Sequence, residues 1–430
     1  MNQTNKDIIK FISNNKNKLK NHIDLYQNNL IVIFIDIIKS TLAEIIDVPV
    51  YIPQLLKKQH NFKYVSLYDF FKSYKVIHTY HDFTKYYTEN QHQLDLNKIK
   101  YDIRNNSELL GIYSEIYEKN DERSELRNLF YKNTFVSIDV LTEIELNDLN
   151  HIVIDNNIYR LSVYYYGNID INKYLKNIIN IINVIKNFNI FYGHTHVKFN
   201  IIIFMGNIKK KLAGKTITPM SMNSGSAIPG IYINIWRREE LEKVLIHELL
   251  HFIKADFYKS ENNSMLLEQS IKQIISYEGI NCPNESYNET LAGIINMCYK
   301  SVKYEININK IYEIELNFLY IQTAKLICLF NGNSITDLFD KKITIKQTTS
   351  ALSYIVLKMI FFHHIQFITE FISNIKLKCN DSEKIKLFEK LLIERISDKT
   401  YVSCVDHFIE ILKKTRDDEL VKHTLMMSII

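Results

Sequence analysis

The stretch Val244-Leu245-Ile246-His247-Glu248-Leu249-Leu250-His251-Phe252 places an HExxH pattern inside an apolar run with helical spacing. Two histidines four residues apart lie on one face of an α-helix, one turn above each other. Both imidazoles can therefore reach one metal ion while the adjacent carboxylate of Glu248 faces its open side. The pattern predicts a hydrolytic zinc site, and the alternative interpretation is a helix with two incidental histidines.

The residues before the motif predict a small sheet that leads into this helix. Residues 151–154 and 159–166 are rich in β-branched and aromatic side chains and predict a β-hairpin, followed by a helix over 174–185. An apolar strand is expected over 197–205, and a second over 231–236 after Pro229 and Gly230. The motif helix itself is expected to begin near Arg238.

A catalytic zinc needs a third protein ligand and one open position. The pattern HExxHxxGxxH is excluded, because Lys254 stands at its glycine position and Phe257 at its third histidine. The ligand is then expected to be a downstream carboxylate, and the candidates are Glu268, Glu278, Glu285 and Glu289. We favour Glu289, at the start of a segment (287–302) that has helical periodicity and follows Pro283 and Asn284, two residues typical of helix entry.

Residues 158–300 resemble a zincin metallopeptidase of the gluzincin branch. The resemblance rests on His247 and His251 as zinc ligands, Glu248 as general base, and Asn288-Glu289-x-x-Ala292 as the helix that carries the glutamate ligand. It implies that residues 231–236 form an edge strand that pairs with extended peptide substrate. The thermolysin-type pattern has an acidic residue four positions after the glutamate ligand, where this chain has Gly293, so Asp256 or a backbone carbonyl is expected to orient the histidine instead.

The resemblance further implies a zinc-dependent peptidase that acts on peptide or protein substrates with one catalytic Zn²⁺. Gluzincins usually stabilise the oxyanion with a Tyr or His after the glutamate ligand, and Tyr354 is our tentative choice, with Tyr304, Tyr312, Tyr320, His363 and His364 as alternatives. The sequence slightly favours an endopeptidase, because no aminopeptidase-type glycine-rich signature precedes the motif. A non-enzymatic scaffold with a structural or degenerate metal site is the second interpretation.

The composition of the chain argues against several other classes of function. A net charge of +5 over 430 residues is too small for a dedicated nucleic-acid surface, and five dispersed cysteines without CxxC spacing indicate reduced thiols. His194-x-His196 is expected to lie in a loop without metal. The N-terminus lacks the apolar core of a secretory signal, and residues 351–372 carry Lys358 and Glu370, so we expect a cytoplasmic protein that does not span a membrane.

The expected fold class is α+β. We predict a mostly helical N-terminal domain of unknown role (1–150, with helices at 7–25, 29–46 and 107–132), a zincin-like catalytic domain (151–300) and a C-terminal helical lobe (301–430). Helical spacing of apolar residues predicts helices in that lobe over 317–330, 349–372, 382–396 and 402–412. The lobe is expected to form the far wall of a cleft over the zinc.

Overall fold

The structure is a computed structural model, and it describes residues 9–14, 23–44, 53–56, 125–126, 129–130, 133, 135–195, 197–210, 212, 214–255, 261–376 and 382–414. Most of the predicted helix at 107–132 and about half of the one at 7–25 lie outside these residues, as do Asp256 and His196. The expected α+β class is confirmed. The helices described are α1 (Asn29–Glu44), α2 (Ile138–Leu146), α3 (Ile171–Phe191), α4 (Pro219–Met222), α5 (Leu241–Phe252), α6 (Glu261–Ile274), α7 (Asn284–Tyr304), α8 (Ile308–Leu329), α9 (Thr336–Phe339), α10 (Lys358–His363), α11 (Ile365–Ile375), α12 (Ser382–Arg395) and α13 (Lys399–Lys414).

The strands form a mixed six-stranded sheet in the order β1-β2-β3-β4-β6-β5 and a separate parallel pair, β7 and β8. Both predicted strands of the hairpin are present, and they pair antiparallel as β2 and β3. The strands are β1 (Gln54–Leu56), β2 (Leu149–Asp155), β3 (Tyr159–Tyr165), β4 (Phe199–Phe204), β5 (Gly225–Ile228), β6 (Tyr232–Ile235), β7 (Tyr277–Gly279) and β8 (Ile345–Gln347).

The position of the strand before the motif helix differs from the sequence prediction. Residues 231–236 do form a strand, β6, but it pairs with β4 on one side and with β5 on the other. The last strand of the sheet is β5, made by residues 225–228, for which the sequence predicts no strand. A four-residue strand of Gly, Ser, Ala and Ile has no alternating apolar pattern, so β-propensity gives no signal for it.

One face of the sheet packs against the motif helix, α5, and its neighbours. Ile201, Ile203, Ile233 and Ile235 share a continuous apolar core with α3, α5, α7 and α8, and this core extends to Ile409 in α13. Helix α7 crosses residue 300, the predicted domain boundary, within the same core. The opposite face packs on Leu126, Phe130 and apolar residues of 136–144 through a smaller cluster around Trp236.

The predicted helix over residues 349–372 is broken. It begins with a π-helical turn, Ser353–Leu357, continues as α10, and bends by 99° into α11 at His364. In the described part of the chain, no single helix has both the length and the apolar composition needed to cross a membrane, and this bent pair satisfies those two criteria only when its halves are combined.

Candidate metal centre

The two motif histidines lie on α5 as predicted, and both project towards α7. Their Nε2 atoms are 3.0 Å apart, and their rings are nearly perpendicular, at 80°. Helix α5 is held at this position by apolar side chains, including Leu245 and Leu249, which are fully buried. Ten of its twelve residues are buried, so the pair stands on a rigid element.

The structure brings Glu285, and not Glu289, to the Nε2 side of both histidines. The Glu285 Oε2 atom lies 3.4 Å from His247 Nε2 and 3.3 Å from His251 Nε2. Three ligands at about 2.0–2.1 Å in tetrahedral geometry are separated by about 3.3 Å, so these three atoms have the spacing that zinc requires. Among the described residues, the same three side chains form a group whose ligand atoms could hold a metal ion.

Glu289 lies one turn further along α7, behind His247. Its Oε1 atom is 3.0 Å from His247 Nδ1, the ring nitrogen that faces away from Glu285. A carboxylate on the second nitrogen of a metal-binding histidine fixes the tautomer and the ring orientation. The sequence prediction chose Glu289 as the third ligand, whereas this geometry brings Glu285 to the Nε2 side of both histidines and places Glu289 beside His247 Nδ1.

Two buried lysines hold Glu289. Its Oε2 atom forms an ion pair with Lys243 on α5 and lies 3.5 Å from Lys358 Nζ on α10. Lys358 also lies 3.8 Å from Glu315 on α8, and all four side chains are at most 1% exposed. Burial alone would raise the pKa of the Glu289 carboxyl, but Lys243, His247 and Lys358 together hold that pKa well below its usual range.

The thermolysin-type pattern places an acidic residue where this chain has Gly293, and the structure gives a reason for the glycine. A Cβ atom at this position would lie 2.6 Å from the ring of Phe362, so a side chain does not fit there. With Glu285 as ligand, the acidic residue four positions later is Glu289, as the thermolysin-type spacing requires. The sequence contains the matching signal, an acidic pair at positions 285 and 289, but helical periodicity alone does not tell which turn of α7 faces the histidines.

Glu248 and Tyr354 both line a small cavity beside His247, together with Asn223, Ser224, Gly225, Val244 and Glu289. Burial raises the pKa of Glu248 to about 6, although His247 and His251 lower it. Tyr354 lies in the π-helical turn, with its ring centroid 6.4 Å from that of His247. π-turns inside helices are frequent at functional sites, and this one brings the tentatively chosen tyrosine to the cavity.

The environment of His247 favours positive charge. Burial alone would lower the pKa of His247, but Glu289 and Glu285 outweigh it and raise the pKa above its ordinary value. A site that attracts a proton onto buried imidazole also attracts a metal cation, which competes with protons for the same nitrogen. The residues present thus fit a divalent ion in both spacing and charge.

The other sequence candidates do not reach this site. Glu268 interacts with Tyr277 and Lys272, and Glu278 is an exposed residue of β7. Tyr320 and Tyr312 hydrogen-bond to His363 and to the carbonyl of Phe362. Cys282, Cys298, Cys328 and Cys404 are free thiols, and Cys379 lies outside the described residues.

Comparison with known proteins gives no relative. No protein-family model, no curated protein sequence and no solved structure matches this chain. The functional interpretation therefore depends on the geometry of the site.

Proposed function

We propose that the protein is a zinc-dependent peptidase with a zincin-like catalytic fold of the gluzincin type. The observation that carries the proposal is the mutual spacing of 3.0–3.4 Å among the His247, His251 and Glu285 ligand atoms, with Glu248 beside them. Two incidental histidines on a buried helix would not be expected to lie against one common carboxylate, Glu285. Nor would a second carboxylate, Glu289, be expected at the other nitrogen of His247. This arrangement supports one catalytic ion with an open position towards the cavity.

Each residue has a defined part in the proposed reaction. The bound ion would polarise the scissile carbonyl and make its water a nucleophile at neutral pH. Glu248 accepts the proton of that water and passes it to the leaving amine. Tyr354 donates a hydrogen bond from its hydroxyl group to the oxyanion. Glu289 and its two lysines keep the His247 ring in orientation.

Strand β5 is the proposed substrate-binding edge, in place of residues 231–236. The Trp236 amide donates to the Ser224 carbonyl at 3.0 Å, so Ser224 and Ser226 direct their backbone groups towards β6. Because the pattern alternates in an antiparallel ladder, Gly225 and Ala227 direct theirs to the open side of β5. An extended peptide could add there as a further strand, next to Glu248.

The contact between Gly225 and Glu248 supports this placement. A Cβ atom at position 225 would lie 2.7 Å from Glu248 Oε1, so the carboxylate packs directly on the backbone of the edge strand. Only glycine leaves this space free. A peptide paired with β5 would therefore pass over the proposed general base.

A non-enzymatic protein with a structural metal site is the second candidate, and the low exposure of the site favours it. The side chains of His247, His251 and Glu285 are 8%, 15% and 20% exposed. A metal enclosed in this way could serve to join α5 to α7 without turnover. The two candidates make the same prediction for metal content and opposite predictions for activity.

The test separates metal binding from catalysis. Zinc content is measured by elemental analysis, and hydrolysis of a peptide library is followed by mass spectrometry for the wild type, Glu248→Gln and the exposed control Glu278→Gln. The proposal predicts one zinc at the His247 site in all three proteins and loss of hydrolysis in Glu248→Gln alone. Zinc without hydrolysis in the wild type would support the structural site, and the positions of the cuts would test the endopeptidase prediction.

A further inference from the structure

A second group of metal-binding side chains lies at the corner where α10 turns into α11. His363 ends α10, and His364 stands at the 99° bend with φ −105° and ψ 43°. Consecutive residues of a straight helix diverge by about 100°, which would point the two rings apart. The bend brings them together instead, with ring centroids 4.6 Å apart at an interplanar angle of 78°.

Asp398 completes the group from a different part of the chain. It precedes α13, and its Oδ1 atom accepts hydrogen bonds from the amides of Thr400 and Tyr401. The same oxygen lies 3.8 Å from His363 Nε2. One ligand atom from each of the three residues lies within 4.8 Å of the other two.

The second nitrogen of His363 is already fixed. Its Nδ1 atom lies 2.5 Å from the Tyr320 hydroxyl, which directs Nε2 towards Asp398. The Tyr320 hydroxyl also interacts with the Cys404 thiol, so it can donate to sulfur while it accepts from Nδ1–H. That tautomer leaves a lone pair on Nε2, the form in which histidine binds a metal.

His364 carries an unsatisfied group at the same place. Its Nε2 atom is buried and has no hydrogen-bond partner among the described residues. A buried polar atom without a partner costs about 1–3 kcal/mol, so such atoms in a folded protein call for an explanation. A cation bound through this nitrogen would satisfy it.

We propose that His363, His364 and Asp398 form a second zinc site, structural in role, which joins the α10–α11 corner to the start of α13. Two imidazoles and one carboxylate are donors that suit Zn²⁺. Their separations of up to 4.8 Å exceed the about 3.3 Å of a tetrahedral site, so side-chain rotations must close the group by up to about 1.5 Å. Burial lowers the pKa of His364 despite Asp398, and the nearby Arg395 lowers it further, so added positive charge is opposed and we expect weaker binding than at His247 and His251.

The experiment measures zinc stoichiometry on the full-length chain and does not depend on catalysis. The wild type, His247→Ala/His251→Ala, His363→Gln and Asp398→Asn are stripped with a chelator, titrated with Zn²⁺ and analysed for bound metal and thermal unfolding. Asp398→Asn keeps a good helix cap while it removes the charged ligand. His407→Gln, on α13, is the matched control.

We expect two zinc ions per chain in the wild type and in His407→Gln. The double variant should retain one ion, and its unfolding midpoint should still rise with zinc. His363→Gln and Asp398→Asn should each lose the weaker ion and keep the other. A double variant that binds no zinc would overturn the second site, as would unchanged stoichiometry in Asp398→Asn, and neither result would bear on the peptidase proposal.

Discussion

Replacing Glu285 and Glu289 one at a time by glutamine tests the central assignment of the site. The two residues lie four positions apart on α7, and both substitutions remove one negative charge without changing side-chain size. We propose different roles for them, with Glu285 as the third metal ligand and Glu289 as the carboxylate that orients His247. The two variants should therefore differ in both zinc affinity and the stability of the metal-free protein.

Glu289→Gln should weaken zinc binding moderately and destabilise the metal-free protein strongly. Loss of an orienting carboxylate typically costs about 10–100-fold in metal affinity. Neutralising Glu289 also deprives the buried Lys243 and Lys358 of the carboxylate that they share. Breaking a buried ion pair from one side costs about 3–5 kcal/mol, so a loss of that size is expected even without zinc.

Glu285→Gln should weaken zinc binding strongly and change the stability of the metal-free protein little. It removes one of three ligands, so zinc affinity should fall further than in Glu289→Gln. Its side chain is 20% exposed, and the contacts it loses are those with His247 and His251. The free energy of unfolding of the metal-free protein should then change by about 1 kcal/mol or less.

The assay combines competitive zinc titration with urea denaturation of chelator-treated protein, and Glu278→Gln is the exposed control. The assignment predicts that the variant with the larger loss of affinity has the smaller loss of stability. If Glu289→Gln abolished zinc binding at the first site while Glu285→Gln bound zinc like the wild type, Glu289 would be the ligand and our assignment of the two glutamates on α7 would be wrong.

Three further predictions concern the cavity and the two helices. Gly225→Ala should push Glu248 out of position and lower kcat about 100-fold, because a displacement near 1 Å at the reacting groups has effects of this size. Tyr354→Phe should lower kcat by about 10²–10³-fold with little change in KM. Glu242→Gln should cost about 1 kcal/mol at pH 7, since it breaks the pairing of α5 with two lysines of α7, and the cost should vanish in acid.

Lys300 and Lys303 determine how the stabilisation by Glu242 changes with pH. Burial alone would raise the pKa of Glu242, but Lys300 and Lys303 outweigh it and lower that pKa below its ordinary value. The stabilisation is therefore complete above the unfolded-state pKa of 4.5 and is lost as pH falls through the folded-state pKa. Denaturation of wild type and variant at pH 7 and pH 3 measures the difference, and an equal gap at both values would contradict this account.

Zinc content provides the control for the two cavity variants. Neither Gly225 nor Tyr354 belongs to the proposed ligand set, so both variants should bind zinc at the His247 site like the wild type. Unaltered turnover in Tyr354→Phe would remove the tyrosine from the mechanism. Unaltered turnover in Gly225→Ala would show that Glu248 can shift without cost.

The sequence predicts the elements that carry strong periodicity. The hairpin of β2 and β3, the motif helix and α7 all appear close to their expected limits, because apolar residues recur in them at the spacing of their faces. Helix α6 and strand β5 were not predicted. Strand β5 is short and built of small residues, so it produces no periodic signal, whereas Leu267, Ile271 and Ile274 of the mostly polar α6 do recur at helical spacing, and this signal was missed.

The third ligand could not be predicted from the sequence for a different reason. Positions 285 and 289 share one face of a helix, and their order relative to the histidines depends on how far α7 slides along α5. That offset is set by packing, including the Asn288 amide, which donates to the His247 carbonyl at 3.1 Å. The glutamate spacing of the resembled family fits positions 285 and 289 only if Glu285 is taken as the ligand.

The π-helical turn explains why Tyr354 and Lys358 belong to the same site. Lys358 appears in the sequence as a charge that interrupts an apolar run, yet in the fold it is the buried partner of Glu289 and Glu315. Four residues earlier, Tyr354 lines the cavity beside His247, as Glu289 does. Because Tyr354 lies in the π-helical turn and Lys358 directly follows it, any substitution that restores a regular α-helix there should move the proposed oxyanion donor and the counter-charge of Glu289 together.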